Sequence, residues 1–294
     1  VSLLARCPAP DVNKSNLTTR DHSRDAAGLT YVYPVISRRA GGLSIGINLN
    51  PNNACNWRCV YCQVPGLRRG AAPAVDRALL RRELRGFLAA INGGSVYRRW
   101  SVPAMYRSLR DIALSGNGEP TSCPDFAAVV NIVGEERAAT GIEEAVQTVL
   151  ITNGSLIRRR EIRSGLQQLQ SMNGEIWFKI DAATAPDMRR MNGAVMTPAR
   201  MLENLRTAAT LCPTRIQTCV FARDGRPAVD GRAYLELLER IAAERIPVAG
   251  VMLYGPARPS MQGQGDRLSG LPVGYMQNLA TAVERLGLPV QLAP

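Results

Sequence analysis

Six short apolar runs alternate with amphipathic helical windows along most of this 294-residue chain, and that alternation restricts it to parallel β/α units. The runs cover Leu43 to Leu49, Asp111 to Leu114, Val146 to Thr152, Ile176 to Ile180, Arg215 to Phe221 and Val248 to Leu253. Leu79, Leu80, Leu84, Phe87, Leu88 and Ile91 recur at helical spacing after the first run. Further helices are predicted over Pro124 to Gly134, up to Leu169, and over Pro198 to Leu211, Tyr234 to Arg245 and Gly274 to Leu286, with an extended tail from Pro289 to Leu292. The predicted class is α/β, long enough to bury a substantial core. Residues 1–30 are polar and irregular and read as an N-terminal arm or flap, with one domain over 31–294. The stretches Gly66 to Pro73 and Gly255 to Pro272 read as loops, and the second is a candidate substrate cover because loops leaving the carboxyl ends of strands gather over one mouth.

The first run feeds Cys55-Asn56-Trp57-Arg58-Cys59-Val60-Tyr61-Cys62, which spaces three cysteines as C-x3-C-x2-C. Three such thiolates suit an iron–sulfur cluster, and a four-iron cubane held by three has one iron open to another ligand. The alternatives are core cysteines in a turn, or a zinc knuckle, which normally wants a fourth strong protein ligand. His22 is the only histidine and lies far upstream, where an exposed polar role suits it better than ligation. Cys7, Cys123, Cys212 and Cys219 are scattered without a ligand signature. Seven cysteines, an odd number, in a long chain with no secretory leader argue against a disulfide scaffold and for a cytoplasmic protein. No apolar run reaches membrane-spanning length.

A second passage, Leu114-Ser115-Gly116-Asn117-Gly118-Glu119-Pro120-Thr121, closes the next run. Its glycines let backbone approach a ligand closely, and Glu119 can accept hydrogen bonds from an ammonium group. The plain alternative is a Gly-rich turn capped by a surface glutamate. Together the two passages resemble the radical S-adenosylmethionine (SAM) superfamily, whose cysteine motif is followed by a Gly-Gly-Glu-type loop. Gly116, Gly118 and Glu119 match that loop, and Asn117 interrupts the adjacent glycines. The resemblance spans roughly residues 43 to 255 and implies a partial (β/α)6 TIM-like barrel, which the six repeats fit better than a complete eight-unit barrel.

The same resemblance implies that Cys55, Cys59 and Cys62 hold a [4Fe-4S] cluster whose open iron binds the amino and carboxylate groups of SAM. An electron from a reductant such as flavodoxin or ferredoxin would cleave SAM to methionine and a 5′-deoxyadenosyl radical, which abstracts hydrogen from the substrate. Gly116, Asn117, Gly118 and Glu119 would surround the cofactor, with Tyr61 beside its adenine. Thr152 and Asn153 end the third run, where they would meet the ribose or the methionine carboxylate, or else cap and turn the chain. Leu253, with its backbone, is the expected adenine contact from Met252-Leu253-Tyr254, since alternating side chains cannot all face one cavity.

Lys179 and Asp181 share one face of the fourth run. The lysine could bind an anion or form a Schiff base with a carbonyl, tuned by Asp181, or the two could be a structural pair. The loop at Gly116, Ile151 to Gly154, Lys179 to Asp181 and Tyr254 to Ser260 resemble the branch of wybutosine-type tRNA-modifying enzymes, although the upstream cysteine group expected there is absent from this sequence. The formal charge of +12 is almost all arginine, which suits an RNA-facing surface or reflects coding bias, and no nucleic-acid motif organises it. The expected function is therefore radical SAM hydrogen abstraction from a small polar metabolite. The alternatives are tRNA-base modification, a peptide substrate, or a non-catalytic Fe–S or zinc interaction protein.

Overall fold

The computed structural model describes residues 17–19, 24 and 26–293; the expectations for residues 1–16, Cys7 among them, and for His22 lie outside the described residues. Eight strands form one open, curled sheet in chain order: β1 (Val32–Ser37), β2 (Gly42–Ile47), β3 (Leu109–Leu114), β4 (Gln147–Thr152), β5 (Gly174–Lys179), β6 (Thr214–Cys219), β7 (Gly250–Tyr254) and β8 (Val290–Ala293). β2 to β8 run parallel, and β1 pairs antiparallel with β2, Tyr33 lying opposite Gly46. This is the partial TIM-like barrel, extended by two strands. The expected tail became β8, paired through Leu292 with Leu253. β1 was not foreseen, because Pro34 and the mixed Tyr31-to-Ser37 stretch hide its alternation.

The helices of eight or more residues are α1 (Arg77–Asn92), α2 (Phe126–Thr140), α3 (Arg160–Gln170), α4 (Ala185–Asn192), α5 (Pro198–Leu211), α6 (Gly231–Ala243) and α7 (Val273–Glu284). Local chemistry sets their ends. Asp76 Oδ1 accepts from Leu79 N at 2.9 Å to cap α1, and Thr197 caps α5 with Pro198 in its first turn. The stripe Leu80, Leu84, Phe87 and Leu88 of α1 is fully buried. It joins one core with Ile112, Leu150, Ile216 and Leu253, on the helix-covered side of the sheet. The opposite face holds a smaller cluster of Ala113, Val149, Trp177 and Met252. Strand alternation separates the two: odd positions of β3 to β5 face the barrel interior and their neighbours face the helices.

The β1–β2 turn spans the open side of the sheet. Gln291 of β8 donates to the Arg39 carbonyl at 2.6 Å, and the Arg38 guanidinium donates to the Gly255 carbonyl at 3.1 Å. Of the segment before β1, Leu17 and Ala27 are buried, and the Leu17 N–H donates to the Trp100 carbonyl at 3.1 Å.

Candidate active site

A cavity of about 270 Å³ opens within the barrel, and it brings together residues from both sequence motifs. Cys55, Cys59, Cys62 and Tyr61 line it from the loop after β2, Gly116, Asn117, Gly118 and Glu119 from the loop after β3, Asn153 from the end of β4 and Lys179 from β5. All three thiols are half-buried. Burial pushes Cys55 up to about 12, against the Trp57 N–H that donates to its sulfur at 3.4 Å; it pushes Cys59 up to about 11, with Asp181 adding to the effect, and raises Cys62 as well. Without a metal these are thiols rather than thiolates.

The donors suit an iron–sulfur cluster. Cys55, Cys59 and Cys62 all line this one cavity. One thiolate per iron is what a multi-iron cluster requires, whereas a tetrahedral zinc draws its ligands to one point.

Asparagines bind the Gly-Asn-Gly loop to the cysteine loop. Asn48 Oδ1 accepts from Asn117 N at 3.0 Å and from Asn50 N at 3.1 Å, and Asn117 Nδ2 donates to Asn53 Oδ1 at 2.7 Å. A Cβ on Gly116 would stand 2.3 Å from Asn48 Oδ1, and one on Gly118 2.1 Å from the Ala54 carbonyl. These glycines thus permit the close approach of the two loops to each other, and both also line the cavity.

Glu119 is not a surface cap. It is 3 % exposed, and its Oε1 accepts from the Thr121 N–H and from the Thr121 and Thr152 hydroxyls, while Oε2 accepts from Asn153 N at 2.7 Å. Burial raises its pKa and these donors pull it back. Thr152 therefore stands behind Glu119, facing the helices, and does not reach the cavity. Asn153 does line it, with Nδ2 donating to Asn56 Oδ1 at 2.9 Å.

Leu253 is corrected in the same way. Its side chain is fully buried in the outer core, while its neighbours Met252 and Tyr254 face the barrel interior and Tyr254 lines the cavity. Only the backbone part of that expectation survives the alternation.

Lys179 and Asp181 do meet, at 3.7 Å. Asp181 is saturated: it accepts from the Tyr61 hydroxyl, from Asn192 Nδ2 at 3.0 Å and from Cys219 N at 3.0 Å. Burial is the largest effect and opposes the charge on Lys179, but Asp181 together with Tyr254, Cys59 and Cys219 outweighs it and raises the pKa, so the side chain is an ammonium at neutral pH. Lys179 donates to the Tyr254 hydroxyl at 2.9 Å and lies 5.0 Å from the Tyr61 ring centre. Tyr61 also meets Phe221 edge-on at 5.4 Å.

Sequence reasoning missed α4, too short to show its periodicity. Its last residue, Asn192, donates to Cys59 Sγ at 3.3 Å as well as to Asp181, and the Met191 and Asn192 carbonyls accept from Val60 N and Arg58 N, both at 2.8 Å. The Gly255-to-Pro272 loop does lie over the site. Met261 N donates to the Cys62 carbonyl at 2.9 Å, the Ser260 hydroxyl to the Val60 carbonyl at 2.7 Å, and Gln262 Nε2 to the Val64 carbonyl at 3.1 Å.

Known proteins were compared at the levels of sequence and structure. The chain is 28% identical over 133 residues to a protein named GTPase Obg of Brachyspira hyodysenteriae, covering 45% of this chain and 17% of that one. It is 26% identical over 167 residues to UPF0026 protein MJ1312 of Methanocaldococcus jannaschii, covering 54% of this chain and 42% of that one. The chain thus spans less than half the length of the curated relatives it matches. A solved structure of TYW1 with a lysine-pyruvate adduct bound shares the fold with a TM-score of 0.54 at 17% identity, covering 85% of this chain and 74% of that one. Residues 49–223, which include both loops and strands β3 to β6, match the model of the radical SAM superfamily. With that match over more than half its length, the chain belongs to the radical SAM superfamily, whose members carry a [4Fe-4S] cluster and SAM.

Proposed function

We propose that this chain is a radical SAM enzyme that abstracts hydrogen from a small polar substrate held in the barrel. One observation carries the reading: the three cysteines, the Glu119 loop and the Lys179 ammonium converge on the wall of a single cavity. Cys55, Cys59 and Cys62 are the proposed cluster ligands, and Asn192 and the Trp57 N–H steady two of the sulfurs. When bound, the cluster and SAM supply the one-electron chemistry that makes a C–H bond reactive.

The chain's own residues do the rest. Glu119 Oε2 has an acceptor site left after its bond to Asn153 and is suited to the ammonium end of SAM. Asn153 and the Gly116-to-Gly118 backbone offer polar groups beside it, and Tyr61 an aromatic face. Lys179, already cationic, orients a polar substrate; its ion pair with Asp181 disfavours Schiff-base chemistry, which begins from the neutral amine. Tyr61, Tyr254 and the loop from Gly255 keep water from the reacting carbon.

A small metabolite is favoured over tRNA because the converging groups lie within a cavity of about 270 Å³, and part of the arginine charge is already paired. Arg77 with Asp125, Arg81 and Arg85 with Glu136, Arg206 and Arg240 with Glu244 and Arg267 with Asp224 all form ion pairs. A low-potential protein such as flavodoxin or ferredoxin is the proposed electron donor, in the cytoplasm; among the described residues no helix is long and apolar enough to cross a membrane. Anaerobic reconstitution tests the proposal. The reduced protein should show the spectrum of a [4Fe-4S] centre and release 5′-deoxyadenosine from SAM, and Cys59→Ala should lose both. A reconstituted wild type that binds only zinc, or leaves SAM intact under strong reduction, would end it.

A further inference from the structure

Among the cations on the cavity wall, Arg39 has no part in the reading above. Arg39, in the β1–β2 turn, holds its guanidinium 5.2 Å from the Trp177 ring centre and 5.0 Å from that of Tyr254. Each group is fixed from behind. The Arg39 carbonyl accepts from Gln291, and Gly41 N closes the turn on the Ser37 carbonyl at 2.9 Å. The Trp177 indole N–H donates to Glu175 at 2.8 Å, and Tyr254 accepts from Lys179.

Among the described residues, the Arg39 guanidinium makes no hydrogen bond or ion pair; its recorded partners are the two rings. Asp111, on the same cavity wall, takes the Ser44 hydroxyl instead. A second polar group is similarly unused. Gln217 is fully buried, two positions before the cavity residue Cys219 on the same face of β6, and neither its amide nitrogen nor its oxygen has a partner. Its register partner on β5 is Lys179.

The charges narrow the ligand further. The cavity wall also carries Arg24, Arg38 and Arg258 against Asp111 and Glu119, so positive charge is in excess there, and Arg39 presents a planar edge of N–H donors that no described acceptor takes up. A carboxylate matches a guanidinium edge with two parallel hydrogen bonds and brings the negative charge that such a wall favours. We infer that Arg39, with the Lys179 ammonium lining the same cavity, is a carboxylate-binding subsite, and that the substrate is a small carboxylic acid. The inference rests on the proposed hydrogen-abstraction reading for the identity of the occupant, but its test does not.

Calorimetry on the reconstituted holoprotein with SAM present would use butyrate, its neutral isostere butyramide and inorganic phosphate as probes. Butyrate should bind about tenfold or more tighter than butyramide, the loss expected when a charge-assisted pair is missing. Arg39→Gln should erase that preference while SAM affinity and the circular dichroism spectrum are retained. Equal binding of butyrate and butyramide by the wild type overturns the subsite, and so does an unchanged preference in Arg39→Gln. Tighter binding of phosphate than of butyrate overturns the carboxylate assignment. Should Arg39→Gln fail to fold, the wild-type comparison still decides. Failure of the radical reading is seen separately, as uncleaved SAM, and leaves the calorimetric result standing.

Discussion

At Asp111, burial lifts the carboxyl to about 6, against the opposing effects of the Ser44 hydroxyl and Arg39. The unfolded chain releases that proton near 3.8, so between these values the native state binds more protons and its stability falls as the pH rises. Asp111→Asn removes the penalty. It should stabilise the protein by on the order of 2 kcal/mol at about pH 7, several degrees in Tm, and by little at about pH 4. Thermal unfolding of both proteins across that range checks the sign, and a gain that grows toward acid pH would contradict it. Asp181 should behave oppositely on substitution. Asp181→Asn leaves the Lys179 ammonium buried without its counter-charge and should cost about 3 kcal/mol in urea unfolding at neutral pH.

Among the elements, the β1–β2 hairpin depends on one glycine. A Cβ on Gly46 would stand 2.0 Å from the Tyr33 ring, directly across the ladder, and Tyr33 also bonds Ser115 at 3.0 Å. Gly46→Ala should therefore cost about 1–3 kcal/mol by forcing the ring aside, and it should increase amide exchange in β1 more than in β5. Leu253→Ala, in the outer core, should cost about 2–5 kcal/mol in stability and leave SAM affinity nearly unchanged. A large loss of SAM affinity in that variant would return its side chain to the cofactor site. The six central strands were legible because buried parallel strands read as plain apolar runs, and the cysteine and glycine loops because their spacing is specific. The antiparallel hairpin was readable only in its Gly41-Gly42 turn, and α4 only in Gly193, whose φ of 59° ends it. Arg39, Trp177, Asn192 and the orientation of Leu253 depend on register and on contacts across the sheet, which the sequence does not encode locally.

For the whole molecule, cysteines that hold the proposed cluster would couple metal loading to folding. Their raised pKa values mean that cluster assembly expels protons and grows more favourable with rising pH. Because ligands that bind only the native state stabilise it, the holoprotein should unfold several degrees above the apoprotein. Differential scanning under anaerobic conditions measures that gap, and identical transitions would mean that no cluster is held by the folded chain. The +12 charge gives a second molecular-scale expectation: binding to tRNA should be weak and should fade as salt is added, with no nucleotide altered in mass. Finally, Ser260, Met261 and Gln262 fasten to the carbonyls of Val60, Cys62 and Val64, so the lid and the sulfur-bearing turn are latched together. A swing of that loop would pull on the strip 60–64, which carries Cys62 and directly follows Cys59. Movement of that loop and the geometry of the proposed cluster site are therefore mechanically joined, and such fastening favours small breaths over a wide swing.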